Sequence, residues 1–408
     1  MKDFTKGLRK IVYYSIFTND KANKYISFCV YFLLAVGLLF TTSAAMNSST
    51  TIFTTLKHFI KQFVVIFIGV LIYHVASNMY SAERVSKAKF AMIIIEFILL
   101  IAAFIFCSIY GDVNGNYSWI DLNVIGIPYS VQPSEFAKVV MILLISSFFS
   151  DKRFKDQHWF DVVKWPLLTF LGFSSIIAFL QKDLGTSVIL VLITLMTLLI
   201  PKCDKIKGFQ VAALLTLVFI GVSYWYLLTQ PQGQEILSRL SPTFAARFSA
   251  VSNPDYNNDA TREIFYSLLG ISRGGISGVG LGNSVQKFGY LVSSDADYIF
   301  AVIVEETGLF GILAIFAPYF ILIGLLLDHA AKVKKDSGRV ILMGTVFYLF
   351  IHFMFNIGGV SGLLPLTGVP LLLISRGGSA LISILFLLGL CQGVIASENS
   401  SVKKEVVK

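Results

Sequence analysis

Blocks of about 20 apolar residues recur along this chain, and no other feature of the sequence restricts the fold as strongly. A soluble helix usually carries its apolar residues along one stripe, whereas these blocks are apolar on all sides. A hydrocarbon core roughly 30 Å thick requires such a block in each helix that crosses it. Only 14% of the 408 residues are charged and the mean hydropathy is +0.74, which excludes an ordinary soluble domain. The sequence therefore predicts an all-α polytopic membrane protein.

We predict about ten transmembrane helices within a single membrane domain, residues 25–396. The predicted spans are 25–45, 59–77, 89–110, 134–150, 163–180, 186–201, 209–228, 298–327, 340–360 and 370–396. Gly308 and Gly311 are expected to bend the eighth span. The first span is not expected to be a cleaved signal peptide, because the polar and basic segment 1–24 precedes it and no soluble domain follows it.

The positions of Lys and Arg predict how these helices are oriented. Basic residues concentrate in the segment 1–24, in alternate short loops and in the tail 397–408, whereas the loops 111–133 and 361–369 contain none. Because cytoplasmic loops carry the excess of Lys and Arg, both termini are predicted to be cytoplasmic. The stretch 229–297 then forms one large extracellular loop between the seventh and eighth helices. The net charge of +9 faces anionic lipids of the inner leaflet, so membrane lipids, and no nucleic acid, are the predicted partners of this charge.

Titratable residues within the spans are costly and need partners. The four cysteines and five histidines are dispersed, so neither a disulfide framework nor a metal cluster is predicted. His74 and His352 are each expected to form an interhelical hydrogen bond. Glu135 and Lys138 lie on one helical face and are expected to pair, whereas Glu96 has no identifiable partner.

The large loop contains a short amphipathic segment followed by a glycine-rich run. Residues 264–269 are predicted to form a helix at the membrane interface. Five glycines occur within the nine residues 274–282, where they permit turns with positive φ or the close approach of a ligand or helix. A flexible connector explains this run equally well. Arg247 and Arg262 suit a phosphate headgroup, because guanidinium binds phosphate in a bidentate manner; ordinary surface ion pairing is the alternative.

Two places at the outer ends of helices carry unusual polar residues. Asp297 lies where the large loop re-enters the membrane, and a carboxylate there suits either a general base or a helix N-cap. Residues 356–380 contain prolines and glycines at membrane depth, which is tolerated only where the backbone is received by protein or lines a cavity. A buried Arg376 within this segment requires a partner. The segment is therefore expected to line a polar cavity that faces outward. Asp183 is predicted to be a helix N-cap.

Several motifs occur in an order that resembles one known family. The motifs are Gln132 to Lys138, Gln181 to Thr186, Gly278 to Gly282, Asp297 to Phe300 with Glu305 and Glu306, and Gly362 to Gly378. Together they resemble the SEDS family (shape, elongation, division and sporulation), from the third helix to the tenth. The run Gly280 to Lys287 is more similar to the FtsW-like division and sporulation branch than to the RodA-like elongation branch.

The resemblance implies a glycosyltransferase that polymerises lipid II into peptidoglycan at the outer face of the bacterial cytoplasmic membrane, during division or related wall synthesis. It also implies a class B penicillin-binding transpeptidase as partner, beside other divisome or elongasome membrane proteins. Asp297 matches the acidic residue treated as essential in the family and is the predicted catalytic residue. The predicted substrate-binding residues are Glu135, Lys138, Arg247, Arg262, Ser375, Arg376 and Ser379. No metal ligand is predicted, and a divalent cation such as Mg²⁺ or Mn²⁺ stays open as a cofactor.

The chain departs from the family pattern at several positions. The family usually has Tyr in place of Arg376 and Ser in place of Ala380. The sequence before the essential acid is commonly Pro-Glu-x-His-Thr-Asp, where this chain has Val292 to Asp297. Ser118 replaces a basic residue in the first long external loop. These departures define a divergent member.

Two other functions are compatible with the same residues. A lipid II flippase would use ionisable residues within the membrane, Glu96, Glu135, Lys138 and Arg376, to move a headgroup across it. An inactive scaffold would recruit the transpeptidase without chemistry of its own. The polar residues favour the outer half of the membrane, which suits the enzyme better than the flippase.

Overall fold

The computed structural model describes residues 19, 21–46, 51–111, 115–126, 129–150, 159–202, 204–240, 251 and 261–406. Its α-helices are α1 Lys24–Ala44, α2 Ile52–Met79, α3 Ala82–Tyr110, α4 Ser134–Ser150, α5 Trp159–Ser175, α6 Leu184–Leu198, α7 Lys207–Thr229, α8 Pro231–Leu240, α9 Arg262–Gly274, α10 Ile299–Thr307, α11 Leu309–Lys332, α12 Asp336–Val360 and α13 Gly378–Val406. A π-helical turn, Ile176–Leu180, extends α5, and 3₁₀ turns occupy Leu122–Ile125 and Asp204–Ile206. Strands β1 Ile120–Asp121 and β2 Ser130–Val131 pair antiparallel.

Eight helices in the described part of the chain are long and apolar enough to cross a membrane. They are α1, α2, α3, α5 with its π-helical extension, α7, α11, α12 and α13. The other two predicted spans correspond to α4 and α6, which have 17 and 15 residues and are shorter than a bilayer usually requires. The all-α membrane fold is confirmed, whereas ten crossings and the sidedness of the loops stay predictions.

Two predicted spans differ from the observed helices. Gly308 divides the eighth span into α10 and α11, since it has a φ of +62° and a Cβ there would lie 2.5 Å from the Ile276 carbonyl oxygen. A bend at Gly308 and Gly311 was expected; instead Gly308 separates two helices, and Gly311 lies in the first turn of α11. The tenth span begins at Gly378 rather than at 370, because residues 361–377 are not helical.

Helix α13 packs closely along α2, and glycines set the spacing. A Cβ at Gly389 would lie 2.4 Å from the Tyr73 carbonyl oxygen, and one at Gly393 would lie 2.9 Å from that of Ser77. Small residues allow membrane helices to approach this closely, where packing replaces the hydrophobic effect as the source of association. Because both contacts advance by four residues along both helices, α2 and α13 run parallel with a fixed register.

The two termini of the described chain meet at one end of the bundle. The Asn399 side-chain amide donates to the Lys21 carbonyl oxygen (2.9 Å), and the Lys21 ammonium donates to the Ser400 hydroxyl (3.1 Å). The backbone N–H of Lys334 donates to the Glu398 carboxylate there (3.0 Å). We call the opposite end, which carries Asp297 and residues 361–377, the loop end. Both termini therefore share a side, as the distribution of Lys and Arg predicts.

Candidate active site

Asp297 lies at the loop end immediately before α10, and its backbone is held by one buried amide. The Asn356 Nδ2 group donates to the Asp297 carbonyl oxygen at 2.9 Å and to the Val369 carbonyl oxygen at 2.8 Å. Asn356 is buried on α12, so the acidic residue is connected directly to a membrane helix and to the segment 361–377. Tyr298, rather than Asp297, holds the N-cap position of α10, so the N-cap interpretation of Asp297 is wrong.

The segment 361–377 approaches the Asp297 side chain through a glycine. A Cβ added to Gly368 would lie 3.8 Å from Asp297 Oδ2, and Gly368 has a φ of +69°. The predicted substrate-binding residue Ser375 is buried and its Oγ accepts from the Leu371 N–H (2.8 Å), which closes a turn of this segment. Irregular backbone is thus stabilised by internal hydrogen bonds directly beside the carboxylate.

Arg376 pairs with Asp295, two residues before Asp297. Its Nη1 lies 2.9 Å from Asp295 Oδ2, and its backbone N–H donates to the Asp295 carbonyl oxygen, also at 2.9 Å. The partner that Arg376 was predicted to need is present, but its predicted burial is wrong, because the side chain is 51% exposed. Asp295 stands where the family usually has His, and Arg376 stands where it usually has Tyr. These two departures from the family pattern form a salt bridge with each other.

Glu305 holds the residues on either side of the glycine-rich run. Its carboxylate accepts from the Ser284 hydroxyl (2.5 Å) and from the backbone N–H groups of Val285 (3.1 Å) and Gln286 (3.3 Å). Arg273 Nη1 lies 3.2 Å from the same carboxylate. Within the run, the backbone N–H groups of Val279 and Gly280 donate to the carbonyl oxygens of Glu305 (2.9 Å) and Glu306 (3.0 Å), so this run is not a free connector.

Glu306 forms a buried ion pair with Lys287. The distance from Lys287 Nζ to Glu306 Oε1 is 2.9 Å, and neither side chain is exposed. The Ser43 hydroxyl at the end of α1 donates to the same carboxylate, and the Lys287 ammonium also donates to the Gly282 carbonyl oxygen (2.7 Å). These contacts attach the large loop to α1. Sequence reasoning missed Lys287, because the pairing crosses an irregular segment without a local pattern.

A second buried network lies between α4, α12 and α13. Lys138 Nζ is 2.6 Å from Glu135 Oε1, which confirms that these two residues pair, and 3.1 Å from His352 Nε2. The Tyr348 hydroxyl donates to the other Glu135 oxygen (2.9 Å) and contacts the Ser383 hydroxyl. All of these side chains are buried. Substrate binding by Glu135 and Lys138 stays a prediction.

The remaining predicted substrate-binding residues occupy different environments. Ser379 is buried in the first turn of α13, where its hydroxyl accepts from the Gln132 N–H (2.9 Å). Arg262 is exposed at the beginning of α9, which covers the predicted interfacial segment 264–269. Arg247 lies outside the described residues.

The single titratable residues of other spans also have defined environments. Asp183 caps α6 by accepting from the Thr186 N–H (3.0 Å), as predicted. His74 contacts the Tyr31 hydroxyl on α1, which confirms its interhelical hydrogen bond. Glu96 is buried, and its Oε1 has no hydrogen-bond partner among the described residues.

No group of three or more His, Cys, Asp or Glu side chains within the described ranges could hold a metal ion. Asp295 and Asp297 are acidic side chains beside the irregular segment, and Asp295 is already paired with Arg376. A divalent cation at this end would therefore need most of its ligands from a bound substrate and water.

Comparisons with known proteins agree with this architecture. The family model FTSW_RODA_SPOVE, described as "Cell cycle protein", matches residues 24–400. A relative in Bacillus subtilis (strain 168), "Probable peptidoglycan glycosyltransferase FtsW", is 33% identical over 377 residues, covering 90% of this chain and 89% of the relative. "Peptidoglycan glycosyltransferase MrdB" of Escherichia coli (strain K12) is 34% identical over 310 residues, covering 74% of this chain and 76% of that protein.

Two solved structures share the fold. The structure titled "Structural coordination of polymerization and crosslinking by a peptidoglycan synthase complex" matches with a TM-score of 0.65 and 20% identity over 92% of this chain and 98% of that one. The rod shape determining protein RodA of Thermus thermophilus matches with a TM-score of 0.58 and 21% identity over 92% and 96% of the two chains. The match to the FtsW relative covers 90% of this chain and the match to MrdB covers 74%, which agrees with the predicted FtsW-like branch. The chain therefore belongs to the family of FtsW, RodA and SpoVE cell cycle proteins, the SEDS family that its motifs predict.

Proposed function

We propose that this protein is a peptidoglycan glycosyltransferase that polymerises lipid II into glycan strands at the outer face of the cytoplasmic membrane. The observation that carries the proposal is the position of Asp297 at the loop end, where Asn356 connects its backbone to both α12 and the segment 361–377. The names of the FtsW and MrdB relatives support the same activity.

The proposed reaction joins the 4-hydroxyl of one lipid-linked disaccharide to the anomeric carbon of another. Asp297 removes the hydroxyl proton as the new bond forms, and undecaprenyl pyrophosphate leaves with the bonding electrons. The leaving group carries negative charge, which Arg376 beside Asp297 helps to stabilise. Holding the backbone of Asp297 in place is expected to increase the reaction rate, because a small displacement of a catalytic group lowers the rate steeply.

We further propose a class B penicillin-binding protein as partner, since transpeptidation consumes the strands that this reaction makes. The match to a chain of a peptidoglycan synthase complex supports an assembly of this kind. A divalent cation, Mg²⁺ or Mn²⁺, if the reaction uses one, would be held mainly by the substrate pyrophosphate.

Polymerisation of labelled lipid II by the purified protein, alone and with its cognate transpeptidase, tests the proposal. The wild type is expected to form glycan strands and the Asp297→Asn variant none, at an unchanged unfolding temperature. Asp328→Asn is the matched control, because it removes one exposed carboxylate near the end of α11 where Asp328 pairs with Lys332.

Absence of strands from folded wild-type protein with an active transpeptidase would contradict the glycosyltransferase. Movement of lipid II across vesicles by the same preparation would then favour the flippase, and its absence would favour the scaffold. The enclosure of Glu135 and Lys138 within an ion pair and hydrogen bonds to His352 and Tyr348 supports the enzyme over the flippase.

A further inference from the structure

A cavity of about 340 Å³ lies at the end of the bundle where the termini meet, opposite the loop end. Its volume falls within the roughly 300–1,000 Å³ that small-molecule sites occupy. It is lined by residues 80–83 at the junction of α2 with α3, by four residues of 333–338 at the junction of α11 with α12, and by three residues of α13. The cavity is therefore separate from the site around Asp297.

Two helices begin at this cavity, and neither N-terminus is capped by its own N-cap side chain. Helix α3 begins after Ser81 and α12 begins after Lys335, and neither side chain accepts a hydrogen bond from its helix. The first N–H groups of a helix have no partner within the helix, and the helix dipole adds positive potential at the same end. Both junctions therefore favour an anionic group in the cavity.

Ser337, in the first turn of α12, adds a side-chain donor that has no protein partner. Its side chain lines the cavity and is only 3% exposed, and its hydroxyl forms no hydrogen bond with any described residue. Its carbonyl oxygen accepts from the Ser146 hydroxyl on α4 (2.8 Å), and a Cβ at the adjacent Gly338 would lie 2.9 Å from Val394 Cγ1 on α13. A buried hydroxyl on a turn held this firmly needs an acceptor, which a ligand in the cavity would supply.

Lys335 places a positive charge at the same end of α12. Its side chain is exposed, and its ammonium forms no ion pair with a residue in the described ranges. The neighbouring Asp336 does not neutralise it, since Asp336 pairs with Arg339 at 2.8 Å. Lys335 is thus available to a phosphate beside Ser337.

Two carboxylates, Glu83 and Glu398, also line the cavity. One Glu83 oxygen lies 2.7 Å from Lys87 Nζ, and one Glu398 oxygen accepts from the Lys334 N–H (3.0 Å). A ligand that is only anionic would be repelled by these carboxylates. A ligand that carries both a phosphate and an ammonium group matches both signs of charge.

The cavity lies at the depth expected for lipid headgroups. Helices α2, α3, α11 and α12 are long and apolar enough to cross a membrane, and the cavity lies where they begin or end. The ends of such helices meet the headgroup layer, where tyrosines such as Tyr80 are enriched. A phospholipid is therefore the source of phosphate that the position of the cavity favours.

We propose that this cavity binds the phosphoethanolamine headgroup of a membrane phospholipid. The phosphate lies at the N-termini of α3 and α12, where the Ser337 hydroxyl and the Lys335 ammonium donate to it. The ammonium group of the headgroup donates to Glu83 and Glu398. A bound headgroup connects the two helix junctions to α13, at the opposite end of the bundle from Asp297, and the site does not depend on the proposed reaction.

Equilibrium binding of phosphatidylethanolamine, labelled on an acyl chain, to the delipidated full-length protein in dodecyl maltoside tests the site. Wild type is expected to bind it roughly tenfold more tightly than phosphatidylglycerol or phosphatidylcholine with the same label. Phosphatidylglycerol has no ammonium group, and the trimethylammonium group of phosphatidylcholine cannot donate a hydrogen bond to a carboxylate.

Variants on both sides of the cavity separate its two charges. Lys335→Gln is expected to bind phosphatidylethanolamine roughly tenfold more weakly. Lys332→Gln is the matched control with normal binding expected, because it removes the same charge three residues earlier, where Lys332 pairs with Asp328. Glu398→Gln keeps an acceptor for the Lys334 N–H and is expected to lose the preference for phosphatidylethanolamine over phosphatidylglycerol.

Two results would overturn the site. One is an equal affinity of Lys335→Gln and Lys332→Gln for phosphatidylethanolamine. The other is wild-type binding of phosphatidylglycerol as tight as that of phosphatidylethanolamine, because general attraction of basic residues for anionic lipid would explain it.

Competition by water-soluble glycerophosphoethanolamine identifies the source of the headgroup. Displacement of the labelled lipid only at a large excess supports a phospholipid as the ligand. Displacement at comparable concentration would overturn the phospholipid and assign the cavity to a soluble phosphoethanolamine ester.

Discussion

Two acidic pairs lie on either side of the beginning of α10, and they differ most at Asp297, which is half-buried whereas Asp295, Glu305 and Glu306 are buried. Glu305 and Glu306 follow within the helix, are fully buried, and use their carboxylates to hold residues 284–286, Lys287 and the end of α1. Asp295 and Asp297 precede the helix at the loop end, where Arg376 and the segment 361–377 lie nearby. The residue types are similar, so burial and partners separate the two structural glutamates from Asp297, the proposed catalytic residue.

The difference between the two acidic pairs follows from the cost of burying charge. A buried carboxylate is tolerated only when donors within the chain satisfy it, as four groups do for Glu305. A carboxylate that reacts must instead remain accessible to a substrate hydroxyl. We therefore expect substitutions in the glutamate pair to lower stability, and substitutions around the aspartate pair to lower activity.

Glu306→Ala should give the largest loss of stability. It leaves the Lys287 ammonium buried without its carboxylate, which costs about 3–5 kcal/mol when one partner of a buried ion pair is removed. Thermal unfolding of the detergent-purified variant measures this loss. Lys287→Met/Glu306→Met is the control, because removing both charges should cost less than removing one. Equal losses in the single and double variants would show that burial of the unpaired charge is not the cause.

Asn356→Ala should mainly lower activity. It removes both hydrogen bonds that connect Asp297 and Val369 to α12, and a displaced catalytic group costs up to about 100-fold in rate. Since the Asn356 side chain bonds to the backbone of Asp297 and Val369, its loss should lower kcat more than it changes KM. Measuring the polymerisation rate at several lipid II concentrations separates the change in kcat from the change in KM. A loss confined to KM would place Asn356 in substrate binding instead.

The salt bridge between Asp295 and Arg376 should contribute least to stability. Its arginine is half-exposed, and exposed ion pairs contribute about 0.2–1 kcal/mol. A double-mutant cycle of Asp295→His and Arg376→Tyr, which restores the usual family residues, measures the coupling between the two positions by thermal unfolding. A coupling free energy as large as that between Glu306 and Lys287 would contradict the expectation that the half-exposed pair contributes less stability than the buried pair.

Periodicity and local signals allowed much of the fold to be predicted. The apolar blocks mark the helices, Asp183 caps α6 as its position before a glycine indicates, and Glu135 pairs with Lys138 one turn later. A bend was predicted at Gly308, but the structure shows a complete break between two helices there, where the Ile276 carbonyl oxygen approaches closely. Such a contact cannot be read from neighbouring residues.

The site was predictable only in part. Asp297 emerged from its place at the end of the loop and from the family motif. The contacts that define its surroundings join distant segments, such as Asp295 with Arg376 and Asp297 with Asn356.

The most direct test of the account compares Asp297→Asn with Glu306→Gln in one experiment. Lipid II polymerisation and the unfolding temperature are measured on the same two preparations beside wild type. We predict that Asp297→Asn loses polymerisation by at least about 100-fold at an unchanged unfolding temperature, whereas Glu306→Gln lowers the unfolding temperature. An Asp297→Asn variant that folds normally and polymerises at the wild-type rate would contradict the assignment of the chemistry to Asp297.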